Sequence, residues 1–359
     1  MGWMTRNDGP PTPALLLDRS AYERNLGAMR RLLAGSGASL RPHVKTHKCT
    51  RIARRQLREG AGGLSCAVLD EAEAMADAGL SDLLLTSPVV GDDKIRRLRR
   101  LADRTRRLLA VVDDPQNIAQ LSAAFRRSNS PLGVLVDVDV GLGRTGVTTP
   151  AAAASLAEQI RRSPGLEFLG LQAYSGRLQH LARPEDRRRL ASRILDRIRV
   201  VIRALGAPPR IVSGGGTGSA ALDAASGVFT EVQAGSYVFM DQIYLRNQGV
   251  PFAASLRVAA TVLSVRPDGS VTVDAGTKHF SRGPLPALGG SLKGKGRYRF
   301  AGDEHGRVFL KRGTRPPKLG ERLLFEVPHC DPTVNLYPEL HVVDGGRVTG
   351  TWAIDARRR

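Results

Sequence analysis

Cysteine is scarce in this sequence, which has three among its 359 residues: Cys49, Cys66 and Cys330. An odd number of widely spaced cysteines does not build the disulfide framework that small secreted domains need. No stretch approaches the ~18–20 consecutive apolar residues that a membrane helix requires. The opening segment MGWMTRNDGPP has no basic start followed by an apolar run, so we expect no secretory signal. These absences favour a reduced, cytoplasmic setting and no membrane partner.

Aromatic residues are also few, at 5% of the chain, and only eight residues are lysine. Lysine and arginine together number 54 against 34 aspartates and glutamates, and the resulting net charge of +20 would alone suggest nucleic-acid binding. The arginines, however, are spread over helix-like segments such as 96–107 and 187–189, with too few aromatics to stack on bases. We expect an arginine-rich surface that suits anionic ligands, and no specific nucleic-acid partner.

From Leu40 to about Phe239, short apolar runs typical of strands alternate with longer amphipathic segments typical of helices. The eight predicted strands are Leu40–Val44, Leu64–Val68, Leu83–Thr86, Leu108–Val112, Val134–Val138, Leu166–Ala173, Arg210–Ser213 and Glu231–Gln233. The predicted helices between them are Ile52–Glu59, Asp70–Ala78, Asp92–Ala102, Pro115–Arg127, Pro150–Arg162 and Pro184–Leu205. This count predicts a (β/α)8 TIM barrel. The alternative is an open doubly wound sheet, but Pro-His-Val-Lys-Thr-His-Lys stands where that fold normally has a glycine-rich turn.

After about Ile243 the pattern changes to short strand-like runs separated by turn residues, which predicts an all-β domain. Its predicted strands are Ser255–Val265, Ser270–Asp274, Tyr298–Phe300, Arg307–Leu310, Arg322–Val327 and Leu340–Val343. One more strand, Ala14–Leu17, precedes the first predicted helix, Arg19–Ala34, and could join this domain. We therefore expect a barrel domain over residues 18–243 and a C-terminal β domain over 244–359, joined by a strand within residues 1–17.

Lys45 stands at the tip of the first predicted strand, in the segment PHVKTHK (42–48). In a barrel, the chemistry takes place at the C-terminal ends of the strands. Enclosure in the barrel mouth would disfavour the ammonium and favour a free amine that can attack an aldehyde. The alternative is a surface lysine that neutralises a carboxylate.

A glycine-rich segment, SGGGTGS (213–219), follows the seventh predicted strand. Its glycines allow backbone amides to turn inward, and the hydroxyls of Thr217 and Ser219 can donate, so the loop could hold a phosphate. Barrel phosphate sites form after strands seven and eight, and the eighth strand leads into Gly235-Ser236-Tyr237. Together with Lys45, this loop predicts bound pyridoxal phosphate.

The segment Pro328-His329-Cys330-Asp331-Pro332-Thr333 offers an imidazole and a carboxylate. On an extended segment, residues two apart face the same side, so His329 and Asp331 could share one ion while Cys330 points away. These ligands favour a divalent metal, Mn or Zn before Mg. Two ligands leave positions open for water or substrate. The alternative is an exposed turn without a metal.

The segments after the fifth and sixth predicted strands carry further candidates. The segment DVDVGLGRTG (137–146) contains Arg144, whose guanidinium could face the cofactor ring or a substrate carboxylate. The segment QAYSGRLQH (172–180) contains Tyr174 and His180, and a histidine has about the right pKa to move a proton at neutral pH. In a solvated loop, both Arg144 and His180 would instead be bystanders.

The motifs occur in the order TPA (12–14), PHVKTHK (42–48), DVDVGLGRTGV (137–147), GLQAYSGRLQH (170–180), SGGGTGS (213–219), QAGSYVFMD (233–241), DEHG (303–306) and PHCDPT (328–333). In this combination, over essentially the whole chain, the sequence resembles the D-threonine aldolase and D-serine dehydratase family, within the fold-type III pyridoxal-phosphate enzymes typified by alanine racemase. The resemblance implies an N-terminal barrel, a C-terminal β domain, and a homodimer with its active site between the two domains.

The resemblance also implies roles for individual residues. It makes Lys45 the Schiff-base lysine, His180 the acid–base residue, and His329 with Asp331 the metal ligands. It places Gly215, Gly216, Thr217 and Tyr237 around the phosphate, Arg144 and Tyr174 around the ring, and Asp303 in a segment that lines the substrate site. The resemblance implies that aldolases have the pattern His-x-Asp at the metal pair, whereas eukaryotic-type dehydratases tend to have His-x-Cys. One departure is Ser175, where the family often has a histidine, and it bears on the substrate side chain.

The activity that the resemblance implies is that of a lyase dependent on pyridoxal phosphate and a divalent metal (Mn, Zn or Mg). It would cleave a D-configured β-hydroxy-α-amino acid such as D-threonine to glycine and an aldehyde. The alternatives are a D-serine or D-threonine dehydratase that releases a keto acid and ammonia, and a non-catalytic pyridoxal-phosphate-binding protein. A racemase is disfavoured because proton transfer at Cα leaves the metal pair without a role.

Overall fold

Two β-sheets organise the chain, for which a computed structural model describes residues 9–357. Residues 1–8, which hold most of the segment considered above for a secretory signal and part of the predicted 1–17 segment, lie outside that range. The first elements are strand β1 (Ala14–Asp18) and helix α1 (Arg19–Leu33). Helix α1 begins after Asp18 because the Asp18 carboxylate accepts the N–H of Ala21 at 3.0 Å and so satisfies one unpaired donor of the first turn.

Eight parallel strands with intervening helices form the first sheet. The strands are β2 (Ser39–Leu40), β3 (Leu64–Cys66), β4 (Asp82–Leu85), β5 (Arg107–Val112), β6 (Leu132–Asp137), β7 (Leu166–Ala173), β8 (Ile211–Gly214) and β9 (Glu231–Val232). The helices are α2 (Thr50–Arg58), α3 (Leu69–Asp77), α4 (Asp92–Ala102), α5 (Pro115–Phe125), α6 (Pro150–Arg162), α7 (Gly176–Gln179), α8 (Pro184–Ala204) and α9 (Ala220–Ala225). The strand order is β2-β9-β8-β7-β6-β5-β4-β3, and a parallel bridge between His43 and Ser65 joins the two outer strands. The predicted barrel is confirmed.

Local sequence explains where several barrel elements begin and end. Helices α5, α6 and α8 each have a proline in the first turn, where the missing N–H costs nothing. Strand β2 ends at Leu40 instead of the predicted Val44, since Pro42 has no N–H to extend the ladder. The chain then forms one 3-10 turn over Val44–Thr46. Lys45 therefore lies on this turn and not at the tip of a strand.

The second sheet contains nine strands, among them β1 from the N-terminal segment. The others are β10 (Leu256–Val265), β11 (Val271–Val273), β12 (Ala287–Leu288), β13 (Gly296–Phe300), β14 (Gly306–Leu310), β15 (Arg322–Glu326), β16 (Glu339–Asp344) and β17 (Arg347–Ala353), with the short helix α10 (Cys330–Val334) between β15 and β16. Strand β1 pairs with β10 antiparallel and with β16 parallel. The division of the chain predicted between residues 243 and 244 stays a prediction.

Strands β12 and β17 were not expected from the sequence. Strand β17 alternates exposed and partly exposed residues, so it lacks the buried apolar face that marks a strand in a sequence. It forms because the turn at residues 345–346 returns the chain antiparallel to β16. Among the helices of residues 9–357, none combines the length and apolar character needed to cross a membrane.

Candidate active site

Lys45 is the centre of the candidate site. Its side chain is 36% exposed, and its Nζ lies 3.8 Å from Oδ2 of Asp331 and 5.8 Å from the centroid of the Tyr174 ring. Two cavities, of about 70 and 50 Å³, share His43, Lys45, Tyr174 and Gln233. The larger is also lined by Thr46, His180, Gly216, Thr217, Gly235, Ser236, Tyr244, His329 and Asp331, and the smaller by Ala67, Thr86, Ser87, Arg144 and Gln172. We call the pair the Lys45 cavity.

The Lys45 cavity brings together most of the residues singled out in the sequence. Its walls contain the candidate lysine, the metal pair, the candidate proton carrier, the arginine and tyrosine assigned to a ring, and part of the glycine-rich loop: Lys45, His329, Asp331, His180, Arg144, Tyr174, Gly216 and Thr217. The guanidinium of Arg144 lies 5.9 Å from the centroid of the Tyr174 ring, and Nζ of Lys45 lies 5.8 Å from the same centroid. The barrel residues converge because their loops follow the C-terminal ends of neighbouring strands. His329 and Asp331, the latter 286 residues beyond Lys45 in sequence, reach the cavity from the segment between strands β15 and β16 of the second sheet.

The predicted metal pair faces this cavity, although the local structure differs from the expectation. His329 is extended, but helix α10 begins at the next residue, so the segment is not extended through Asp331. Pro332 favours this helix because its fixed φ suits a first turn. His329 and Asp331 nevertheless both line the cavity, while Cys330 is fully buried and its Sγ–H donates to Oδ1 of Asp331 at 3.4 Å. Burial raises the pKa of the Cys330 thiol well above its usual value, so it stays protonated.

Asp241 contacts the metal pair, and the sequence reasoning missed it. Its Oδ2 lies 2.8 Å from Nδ1 of His329, and the ligand atoms of Asp241, His329 and Cys330 lie within 4.8 Å of one another. Burial alone would raise the pKa of Asp241, but hydrogen bonds and charge from His329 outweigh burial and hold that pKa below its usual value. Conversely, burial would lower the pKa of His329, and Asp241 raises it. The signal was present in the motif QAGSYVFMD, which ends in a carboxylate after an apolar run.

His180 lies at the end of helix α7, with its ring edge-on to Tyr244 at a centroid distance of 5.3 Å. Desolvation, and then the positive charge of His329, lower the pKa of His180 below its usual value. The imidazole is therefore neutral at neutral pH and has a lone pair with which to accept a proton. Tyr244 is buried beside it in the cavity wall and was also missed by the sequence reasoning.

The glycine-rich loop after β8 contributes Gly216 and Thr217 to the cavity wall, but two of its amides already have side-chain partners. The N–H of Gly216 donates to Asp223 (3.2 Å), and the N–H of Gly218 donates to Gln179 (2.9 Å). The expectation that these amides turn toward a ligand is wrong for both. Gly215 has a φ of +67°, and a Cβ there would collide with the Asp223 carboxylate, so the loop requires glycine at this position.

Hydroxyl groups are the donors that the loop region presents instead. Thr217, Ser236 and Thr46 all line the cavity. The Oγ1 of Thr217 accepts the N–H of Tyr237 at 2.9 Å and keeps its own proton to donate. Among the described residues, the buried Oγ1 of Thr46 and Nδ1 of His43 have no hydrogen-bond partner, so both are suited to a polar ligand.

Two predicted residues direct their side chains elsewhere. The hydroxyl of Tyr237 accepts a hydrogen bond from Nε2 of Gln56 at 3.0 Å, in the protein interior, and only its backbone N–H reaches the loop. Asp303 is exposed, accepts a hydrogen bond from the hydroxyl of Thr277 at 2.7 Å, and is absent from the walls of the Lys45 cavity. The roles assigned above to both residues stay predictions.

Comparison with known proteins gives a consistent result over the whole chain. Residues 17–242 match the family model "Alanine racemase, N-terminal domain", and residues 255–343 match "Putative serine dehydratase domain". A D-threonine aldolase of Arthrobacter sp is 42% identical over 96% of this chain and 92% of that protein. A 3-hydroxy-D-aspartate aldolase of Paracoccus denitrificans is 37% identical over the same shares. The crystal structure of D-threonine aldolase from Filomicrobium marinum has a TM-score of 0.93 and 39% identity, covering 97% of this chain and 96% of that one.

Proposed function

This chain belongs to the D-threonine aldolase family of fold-type III pyridoxal-phosphate enzymes, and from that membership we propose that it is a carbon–carbon lyase. Its reaction is the retro-aldol cleavage of a D-β-hydroxy-α-amino acid, with D-threonine as the representative substrate, to glycine and an aldehyde. The similarity to both a D-threonine aldolase and a 3-hydroxy-D-aspartate aldolase supports this reaction class.

The residues of the Lys45 cavity fit pyridoxal phosphate. Lys45 would hold the cofactor aldehyde, and Arg144 and Tyr174 would lie beside its ring. The hydroxyls of Thr46 and Thr217 would bind its phosphate, which gives the unpaired Thr46 hydroxyl a partner. When bound, the pyridinium ring supplies an electron sink for negative charge at the substrate Cα.

His329 and Asp331 would hold a divalent cation, for which an imidazole nitrogen and a carboxylate oxygen on one cavity wall are suitable donors. Manganese and zinc suit this pair better than magnesium, which prefers oxygen ligands. When bound, the ion supplies a Lewis acid for the substrate β-hydroxyl. The Nζ of Lys45 lies 3.8 Å from Oδ2 of Asp331, so the lysine that would hold the cofactor and the carboxylate that would hold the ion are neighbours in this cavity.

The chain's own residues carry the proton chemistry. Neutral His180 accepts the proton of the β-hydroxyl, directly or through one water, at the wall that also carries the metal pair. As the Cα–Cβ bond breaks, the hydroxyl oxygen becomes the carbonyl oxygen of the leaving aldehyde, and Cα takes up a proton to give glycine. Arg144 offers a fork-shaped donor for the substrate carboxylate.

Assembly and compartment are part of the proposal. We propose a homodimer, which the family resemblance implies. We also propose a cytoplasmic enzyme, because the three cysteines are all free and buried, as suits a reducing compartment.

The convergence of Lys45, His329 and Asp331 on one cavity carries the proposal. Its test is incubation of purified protein with D-threonine, with and without EDTA, followed by product analysis. We expect acetaldehyde and glycine, and loss of both with EDTA. The appearance of 2-oxobutyrate and ammonia would instead establish a dehydratase.

Borohydride reduction and peptide mapping test the cofactor assignment independently. We expect a pyridoxyl adduct on Lys45 and none in Lys45→Arg. Lys48→Arg is the matched control, because Lys48 lies three residues further on and pairs with Glu71 at 3.1 Å without lining the cavity. An adduct without turnover would indicate a non-catalytic binding protein, and an unmodified Lys45 in cofactor-supplemented protein would refute the proposal.

A further inference from the structure

We propose that Asp241 is the positioning residue of the metal centre: it holds His329 in the tautomer that leaves Nε2 free to bind a cation. The inference deepens the proposed function and rests on it, since it concerns the same metal pair. It assigns Asp241 a place behind the imidazole and not among the metal ligands.

The carboxylate of Asp241 is enclosed and its acceptor sites are occupied. Its side chain is 0% exposed. Its Oδ1 accepts the N–H groups of Ile243 and Tyr244, each at 3.0 Å, and its Oδ2 accepts the N–H of Cys330 at 2.8 Å. The fourth contact is Nδ1 of His329, 2.8 Å from Oδ2. A carboxylate offers about four acceptor positions, so these contacts complete its set.

This arrangement determines the position of the ring proton. An ionised carboxylate has no proton to give, so Nδ1 of His329 must be the donor in the contact with Asp241. A neutral imidazole carries one N–H, and with that proton on Nδ1 the lone pair lies on Nε2. His329 lines the Lys45 cavity and its side chain is 28% exposed, whereas Asp241 lies outside the cavity wall. The free lone pair is therefore on the ring of the residue that borders the cavity.

The same contacts argue against Asp241 as a direct ligand, although its oxygen lies within 4.8 Å of the ligand atoms of His329 and Cys330. A metal–oxygen bond of about 2.0–2.2 Å would require Oδ2 to give up its bonds to His329 and Cys330. Those bonds hold the start of helix α10, so their loss would displace the metal pair itself. Second-sphere carboxylates that orient ligating histidines are a general feature of metal sites.

The backbone before Asp241 is held in an unusual conformation that brings the carboxylate behind the ring. Met240, a buried residue, has a backbone φ of +53°, which residues other than glycine rarely adopt. Such a conformation persists only where surrounding contacts enforce it. The N–H of Gln242 bonds to the carbonyl of Val327 at 3.1 Å, so the segment is tied directly to the strand end that leads into His329.

The test is Asp241→Asn in the pyridoxal-phosphate-loaded, metal-depleted protein, titrated with Mn²⁺. The amide oxygen can still accept the two N–H groups at Oδ1, which turns the NH₂ group toward His329 and removes the bond from the N–H of Cys330. That group donates to Nδ1 and moves the ring proton to Nε2, so we expect affinity for Mn²⁺ to fall roughly 10- to 100-fold. The matched control is Asp274→Asn, because Asp274 also accepts a backbone N–H (Thr261, 2.7 Å) and lies outside the Lys45 cavity. The Mn²⁺ affinity of this variant should equal that of the wild type.

A second measurement, on metal-free protein, is independent of activity. Long-range ¹H–¹⁵N spectra of ¹⁵N-histidine-labelled protein at pH 8.5 report the tautomer of each of the seven histidines, and His329→Gln assigns the signal of His329. We expect the Nδ1–H tautomer in the wild type and the Nε2–H tautomer in Asp241→Asn. If Asp241→Asn fails to fold, the tautomer seen in the wild-type spectrum still tests the proposal.

Three outcomes would overturn the proposal: a wild-type Nε2–H tautomer, unchanged Mn²⁺ affinity in Asp241→Asn, or a loss as complete as that of His329→Gln, which would make Asp241 a direct ligand. Failure of the proposed function looks different. Wild-type protein would then release no aldehyde from D-threonine while the tautomer and the affinity change still followed Asp241.

Discussion

The buried carboxyl of Asp223 predicts a specific dependence of stability on pH. Asp223 is 2% exposed, and its Oδ2 accepts the hydroxyl of Ser219 at 2.5 Å and the N–H of Gly216 at 3.2 Å. None of the ion pairs formed within residues 9–357 includes it. Burial therefore dominates and raises the pKa of Asp223 from 3.8 to about 7.

The direction of the effect follows from which state binds the proton more tightly. The folded chain holds the Asp223 proton up to about pH 7, whereas the unfolded chain releases it near pH 3.8. The contribution of this group to folding is thus most favourable below pH 3.8 and declines until the pH passes about 7. The full loss is about 4 kcal/mol, of which roughly 2.5 kcal/mol falls between pH 5 and pH 8.

The perturbation is Asp223→Asn, which has the shape of the protonated acid and cannot ionise. Its free energy of unfolding relative to the wild type, measured by urea denaturation, should rise by roughly 2.5 kcal/mol between pH 5 and pH 8. Other titrating groups cancel in this difference. The control is Asp186→Asn, because a hydrogen bond from Arg183 lowers the pKa of the half-buried Asp186, which is therefore charged at both pH values. The same Asp223→Asn difference at both pH values would refute the reasoning.

Three further predictions concern the site and the barrel. Because the pKa of His180 is lowered, the acidic limb of the pH profile of kcat/KM should lie below pH 6.5, with activity rising as the imidazole loses its proton. His180→Gln should abolish this limb and lower kcat about 10²- to 10⁴-fold, and an unchanged profile would exclude His180 as the base. Gly235→Ala places a Cβ 2.6 Å from Oγ1 of Thr46, so pyridoxyl incorporation after borohydride should fall, and full incorporation would contradict the assigned phosphate end of the cavity. Arg41, 1% exposed, donates two hydrogen bonds to Glu231, so Arg41→Met should cost about 3–5 kcal/mol in urea unfolding; a cost under about 1 kcal/mol would show that this buried pair is dispensable.

Much of the candidate site was predictable because its residues occupy positions that the barrel pattern fixes. Lys45, His180 and Thr217 each follow a predicted strand, and loops that follow parallel strands meet at one end of a barrel. The boundaries were less accurate where local chemistry intervened: the interruption at Pro42 moved Lys45 onto a 3-10 turn, and Pro332 helped to start a helix between the two metal candidates. The exposed strand β17 (Arg347–Ala353) offered no apolar alternation to detect.

The sequence by itself determined the order of the eight barrel strands and of six helices between them, since the spacing of apolar residues decides locally which face each element must bury. It also determined which residue types were available for chemistry at the strand ends. Only the tertiary structure decided their partners, because a hydrogen bond depends on distance and direction in space and not on separation along the chain. Asp241 forms a hydrogen bond with His329, 88 positions further along the chain. The side chain of Gln179 accepts the N–H of Gly218. The hydroxyl of Tyr237 accepts a hydrogen bond from Gln56, away from the glycine-rich loop.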